Sequence, residues 1–115
     1  IHSFTPVFGG KLRPWHVGVL WNADGRIALP LLAALGAHPD LVVGDNEPYS
    51  GRDGVGYTVR QHAERRGYAH VALEIRQDLV ADAAGAERWA RIVGDALQLS
   101  LPAAGVVASP REIPA

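Results

Sequence analysis

Glu74 is the residue whose type and setting most directly offer chemistry. It interrupts an apolar run in VALEIRQDL, residues 71–79. A carboxylate near the end of an apolar strand is partly desolvated, binds its proton more tightly than in water, and so suits general-base work. The alternative is an ion pair with Arg76, two residues on and on the same strand face. His2, in HSFTP, offers a neutral imidazole and with it a zinc ligand; it also reads as an ordinary polar residue. A zinc site needs roughly three protein ligands, and His16, His38, His62 and His70 show neither HxxH nor HExxH spacing. His38, before Pro39, reads as solvent-facing, His62 as a helix-surface residue, and His16 as a hydrogen-bonded core histidine. Residues 46–53 (NEPYSGRD) carry Asn46, Tyr49 and Arg52. A loop of this composition binds small polar ligands, with Arg52 able to grip a carboxylate through two parallel hydrogen bonds. It reads equally as a solvated turn.

Composition narrows the chemistry further. Of 115 residues, 48% are hydrophobic and 20% charged, which is ordinary for one globular domain. The formal charge of −1 and a single lysine, Lys11, exclude binding of polyanions by bulk electrostatics, and no nucleic-acid partner is expected. Trp15, Trp21 and Trp89 therefore read as packing residues rather than a base-stacking platform. The absence of cysteine excludes disulfide scaffolds and thiolate zinc sites. Neither GxxxxGK[ST], GxGxxG nor GxSxG is present. No apolar run approaches the roughly 20 residues of a membrane helix, and no signal peptide is visible, so the expected localisation is cytoplasmic.

The elements that must hold these residues alternate. Residues 15–21 (WHVGVLW) have strand length and composition. Asp24 is placed to N-cap a helix with Ile27, Leu31 and Leu35 on one face, ending near Gly36. LVVG at 41–44 reads as a short buried strand. Thr58 and Gln61 form a T-x-x-Q capping box for a helix that stops at Gly67. In the strand at 70–75, Val71, Leu73 and Ile75 face one way and His70, Ala72, Glu74 and Arg76 the other. A last helix at about 83–99 carries Trp89, Ile92, Val93 and Ala96 as its apolar stripe. The order β-α-β-α-β-α predicts an α/β fold with a mainly parallel or mixed sheet. Catalytic groups in such folds gather at the carboxyl ends of strands. The expected division is a domain over 1–100 and an extended Pro/Ala-rich tail over 101–115.

Four blocks in order, HSFTP, RPWHVGVLWN, VVGDNEPYSG and EIRQDL, resemble the N-formylglutamate amidohydrolase family. The resemblance runs over about residues 1–97. It implies a three-layer αβα architecture similar to part of a zinc-dependent exopeptidase, as in zinc carboxypeptidases and aspartoacylase-like deacylases. It implies a hydrolase of linear amides that deformylates N-formylglutamate, or cleaves another N-acyl acidic amino acid, in amino-acid catabolism. Zinc would be the cofactor, with His2 the late metal ligand and Glu74 the base that activates water. Arg76 would orient Glu74 or add positive charge at the oxyanion, and Asn46, Tyr49 and Arg52 would hold the substrate's carboxylates. The family's early metal-ligand pair precedes HSFTP and is not in this sequence. The chain thus reads as the C-terminal half of an amidohydrolase, inactive alone, completed by an N-terminal segment or paired with another copy along its outer strand. The alternative is a non-catalytic α/β module that associates with itself or a partner.

Overall fold

In the computed structural model the described residues are 1–53 and 56–106. They form β1 (His2–Phe4), β2 (Val7–Phe8), β3 (Lys11–Leu12), β4 (Val17–Leu20), α1 (Ala28–Gly36), β5 (Val43–Asp45), α2 (Tyr57–His62), β6 (Ala72–Arg76) and α3 (Ala83–Ala103). Four strands make one mixed sheet in the order β1–β6–β4–β5. β1 runs parallel to β6 and β5 parallel to β4, whereas β4 and β6 are antiparallel. The antiparallel pair reflects the end of the sheet to which each connection returns. β4 reaches β5 through α1, nine residues long, which carries the chain back along the sheet. Between β5 and β6 the only α-helix among the described residues is α2, with six residues, or about 9 Å. The connection stays at one end of the sheet, and β6 runs back.

One face of the sheet is the core. Val17, Val19, Leu73 and Ile75 meet Ala28, Leu31 and Leu35 of α1 and Trp89, Val93 and Ala96 of α3. Alternation along β4 and β6 presents these residues to the helices, and each buried Val or Leu side chain stabilises the fold by about 1.5–3 kcal/mol. The α3 stripe is extended by Ser100, buried with its hydroxyl donating to the Ala96 carbonyl at 2.6 Å. Leu20, Ala72 and Glu74 point to the opposite face, where Leu20 and Ala72 line a cavity together with Val59 and Arg60 of α2. The α/β architecture with helices on both sides of a mixed sheet is thus present.

Several local expectations are corrected. Asp24 does not cap α1. Its carboxylate accepts from the Arg26 backbone N–H at 3.0 Å and from the Arg26 guanidinium at 2.7 Å, and α1 begins after Ile27 without a side-chain cap. The Thr58–Gln61 box does not form either, because α2 starts one residue before Thr58, after Gly56. β1, β2 and β3 were not among the expected strands. β2 and β3 form a hairpin whose two turn residues, Gly9 and Gly10, both have positive φ, +57° and +75°. That is the backbone a two-residue hairpin turn requires, and glycine adopts it without strain. The tail expected from residue 101 begins as helix. α3 continues through Pro102 to Ala103 and closes at Gly105, whose N–H donates to the Pro102 carbonyl, while Val106 N–H donates to the Leu101 carbonyl at 2.9 Å. This pair of bonds around a glycine of positive φ is a helix terminus in itself. Residues 107–115 of the expected tail lie outside the described residues.

Candidate functional site

A single row crosses the sheet on the face away from the core. His2 on β1 is opposite Glu74 on β6, Glu74 is opposite Gly18 on β4, and Gly18 is opposite Gly44 on β5. Glu74 thus sits at the centre of its strand, and His2 opens β1 rather than trailing a strand. The two glycines leave the floor beside Glu74 without side chains, and the chain after β5 lies in that space. A Cβ at Gly18 or Gly44 would strike the Glu47 carbonyl oxygen.

The loop 46–51 is pinned on this floor by Asn46. Its φ is +55°, a conformation asparagine tolerates better than most residues. Its backbone N–H donates to the Val19 carbonyl at 2.8 Å, and its side-chain Oδ1 accepts from Trp21 N–H at 2.9 Å and Gly51 N–H at 3.1 Å. Asn46 therefore positions the loop, and its amide oxygen is engaged by protein. Tyr49, within the loop, holds a guanidinium that the sequence reading did not single out. Arg13 donates to the Tyr49 hydroxyl at 3.1 Å and to Thr5 at 3.3 Å, with the Phe8 ring 4.7 Å and the Tyr49 ring 5.1 Å from its guanidinium carbon. The signal for Arg13 was its place directly before the Pro14–Trp15 opening of an apolar strand segment.

Glu74 is half-buried, and its Oε2 is buried with no hydrogen-bond partner among the described residues. Burial pushes its carboxyl pKa up, partly offset by His2 and Arg13. Arg76 does not pair with Glu74. Its guanidinium is held by Asp78 at 2.7 and 3.2 Å and reaches the Arg13 and Pro14 carbonyls at 3.4 Å. The turn after β6 (Gln77–Val80) brings Asp78 within reach of Arg76. The ion-pair alternative for Glu74 is therefore set aside, and the arginine acting on its charge is Arg13.

Arg52 lies apart from Tyr49. With Trp21, Asn22, Arg60 and His70 it lines a cavity of about 120 Å³ at the carboxyl end of β4. Its guanidinium carbon is 5.7 Å from the Trp21 ring centre. The Trp21 indole N–H donates to Asp45 at 2.7 Å, which fixes that ring. His70 is flanked by Asp24 and Glu64, each at 3.8 Å. Asp24 is itself held to a pKa of about 2 by hydrogen bonds from Arg26. His16 is hydrogen-bonded as expected, its Nδ1 accepting from Val42 N–H at 2.8 Å, and burial lowers its pKa. His38 and His62 are exposed, also as expected. Among the described residues no three His, Cys, Asp or Glu side chains group as a metal site. His2 and Glu74 by themselves do not fit a zinc ion that requires about three protein ligands.

The sequence pattern of the N-formylglutamate amidohydrolase family matches residues 1–81. The chain belongs to this family, and the family points to amidohydrolase-type chemistry. The crystal structure of a gene product from Agrobacterium tumefaciens is similar, with a TM-score of 0.73 and 38% sequence identity. The alignment covers 90% of this chain and 39% of that protein, so the chain spans well under half of its structural relative. No curated protein matches the chain. Among the described residues no helix is long and apolar enough to cross a membrane.

Proposed function

We propose that this chain carries the proton-transfer half of an amidohydrolase acting on an N-formyl or N-acyl acidic amino acid such as N-formylglutamate. One observation carries the reading. Glu74 Oε2 is buried and unpartnered on the face of the sheet that also carries His2, beside the two glycines over which the Glu47 backbone lies. A carboxylate so placed is a poor structural element and a good base.

In this reading Glu74 takes a proton from water as the water oxygen adds to the amide carbon. The same carboxyl returns that proton to the departing amide nitrogen as the C–N bond breaks, leaving formate and the free amino acid. Arg13, held by Tyr49 and Thr5, supplies positive charge beside the carbonyl oxygen as it becomes an oxyanion. This replaces the role expected of Arg76. Arg52 and Tyr49 remain on the substrate side, and Asn46 acts by holding their loop.

Zinc belongs to this proposal only with ligands from beyond the 115 residues. His2 would be one of them, and the bound ion would polarise the amide carbonyl. The chain alone is accordingly expected to be inactive. The test is Glu74→Gln in the enzyme of family length that contains this chain. Turnover should fall about 10²- to 10⁴-fold with KM little changed. Unchanged turnover overturns the mechanism.

A second reading is favoured by a different observation. β1 is an edge of the sheet among the described residues. Beside it lies an apolar groove of about 370 Å³ lined by Ile1, Ile75, Trp89, Val93 and Leu97. Two copies pairing along β1 would bury both features, with or without catalysis.

A further inference from the structure

We propose that Phe8, beside the turn of the β2–β3 hairpin, is a positioning residue that holds the Arg13 guanidinium at the Glu74 face of the sheet. The proposal deepens the proposed function and rests on it for the reaction that Arg13 serves. Hairpin register makes the contact. Val7 pairs with Leu12 and Phe8 with Lys11, and the Arg13 N–H donates to the Pro6 carbonyl at 2.8 Å, which extends the ladder by one step. Side chains alternate along a strand, so Phe8, Lys11 and Arg13 share one face of the ribbon, and Val7 and Leu12 share the other. Phe8 and Arg13 are diagonal neighbours there, a spacing that a ring and a long side chain span. The Phe8 ring centre is 4.7 Å from the guanidinium carbon, against 5.1 Å for Tyr49 and 5.7 Å for Phe4. Phe4 is on the Glu74 face, since β1 pairs it with Arg76 just as it pairs His2 with Glu74.

Two features separate this contact from ordinary packing. Phe8 is 68% exposed and outside the core, so its ring contributes little by burial. The partners of Arg13 are also all neutral. Arg26 and Arg76 are each taken by a carboxylate at 2.7 Å. Arg13 is half-buried among three rings, the Tyr49 hydroxyl and Thr5, and among the described residues it has no carboxylate partner. A carboxylate would cancel the charge it held. A ring face attracts a cation through its quadrupole and leaves the net charge whole. A cation fixed in this way stays available to an oxyanion as it develops. Thr5 fastens the two parts together: its hydroxyl donates to the Val7 carbonyl at 2.8 Å and accepts from Arg13 at 3.3 Å.

The experiment compares Phe8→Ala, Phe8→Leu and Phe8→Tyr in the family-length enzyme turning over N-formylglutamate, each alone and combined with Arg13→Gln. Phe8→Ala and Phe8→Leu should each lower kcat about 2- to 10-fold, the scale of one cation–π contact, with KM changed less. Phe8→Tyr keeps a ring and should recover most of the parent rate. Arg13→Gln should itself be slower by about 10²- to 10³-fold, and Phe8→Ala should cost nothing further in that background. Nitrogen-15 spectra of the 115-residue chain give a readout apart from activity. The Arg13 Nε–H should lose its ring-current shift and exchange faster with water in Phe8→Ala and Phe8→Leu, but not in Phe8→Tyr. Retained amide shifts of Val17 and Val19 report that each variant is folded. An unchanged kcat in Phe8→Ala, an equal loss in the Arg13→Gln background, or an Nε–H signal indifferent to the ring overturns the proposal. A parent enzyme without turnover of N-formylglutamate overturns both this role and the proposed function. Coupling of Phe8 to Arg13 in an enzyme indifferent to Glu74→Gln sinks the base assignment and leaves the positioning role standing. Turnover that depends on Glu74 while Phe8 and Arg13 act independently does the reverse.

Discussion

Glu74 is half-buried without a hydrogen bond to one of its oxygens, and the sign of its proton affinity follows from that. Its carboxyl pKa is raised above 4.5, chiefly by burial, so the folded chain binds this proton more tightly than the unfolded chain does. The contribution to stability is present below that value and is lost as pH rises through the raised one. Glu74→Gln removes the loss. The variant should melt at or above the parent temperature at pH 7, with the gap closing toward pH 4. A lower melting temperature at pH 7 would show that the carboxylate is a structural element after all. His16 has the opposite slope. Burial, followed by Arg76, lowers its pKa below 6.5. Its contribution is present above 6.5 and is lost as pH falls through that value toward the lower folded one. His16→Ala should flatten the stability profile in that window and cost about 1 kcal/mol at pH 7, since it also removes the acceptor of Val42 N–H. Urea melts at several pH values measure both effects. Glu74 was legible in the sequence because a lone carboxylate breaks an apolar alternation. Arg13 was not, because an arginine's partner is set by which loop folds beside it. Arg76 illustrates the point: its neighbour in the strand is Glu74, but the turn after β6 hands it Asp78.

At the level of elements, periodicity located what packing decides. The faces of β6, the stripe of α3 and the apolar row of α1 are where the alternation and helical spacing put them, because each has one wet and one dry side. Trp89, at the centre of the α3 stripe, is 2% exposed and contacts the sheet core, so Trp89→Ala should cost about 3–5 kcal/mol. Ends and caps were less legible, since several polar residues near a helix start compete for its N–H groups. Asp24 prefers Arg26, whereas Asp82 does cap α3, accepting from Gly85 N–H at 2.7 Å. Asp82→Ala should therefore cost about 1 kcal/mol by chemical denaturation, and Asp24→Ala should leave α1 helicity unchanged. The end of α3 was obscured by Pro102, which removes one N–H donor in the last turn without ending it. Gly105 marks the true terminus. The Gly9–Gly10 hairpin had a sequence signal of the same kind, two glycines between Val7–Phe8 and Lys11–Leu12.

For the chain as a whole, the mixed sheet among the described residues ends on one side at the three-residue strand β1, beside an apolar groove. Ile1 stands in that groove and is 78% exposed. If two copies pair there, sedimentation of the parent chain should show concentration-dependent dimers, and Ile1→Lys should shift it toward monomer by placing a charge on the edge. A parent chain that is monomeric at all concentrations rejects self-pairing. The α/β class was readable from alternating strands and helices. The antiparallel β4–β6 pair was not, because strand direction depends on which end of the sheet a connection returns to. The chain between β5 and β6 returns to the end it left, and β6 runs back beside β4.

The Gly18–Gly44 floor makes two distant sequence positions report on one atom. Either alanine substitution presses on the Glu47 carbonyl and must lift the same loop segment. Once the first has moved it, the second meets little resistance. The double variant should therefore be less destabilised than the sum of the singles, a coupling that stability measurements of the four chains resolve directly. Natural drift at one glycine would relax selection at the other, so the two positions are expected to change together across the family rather than one at a time.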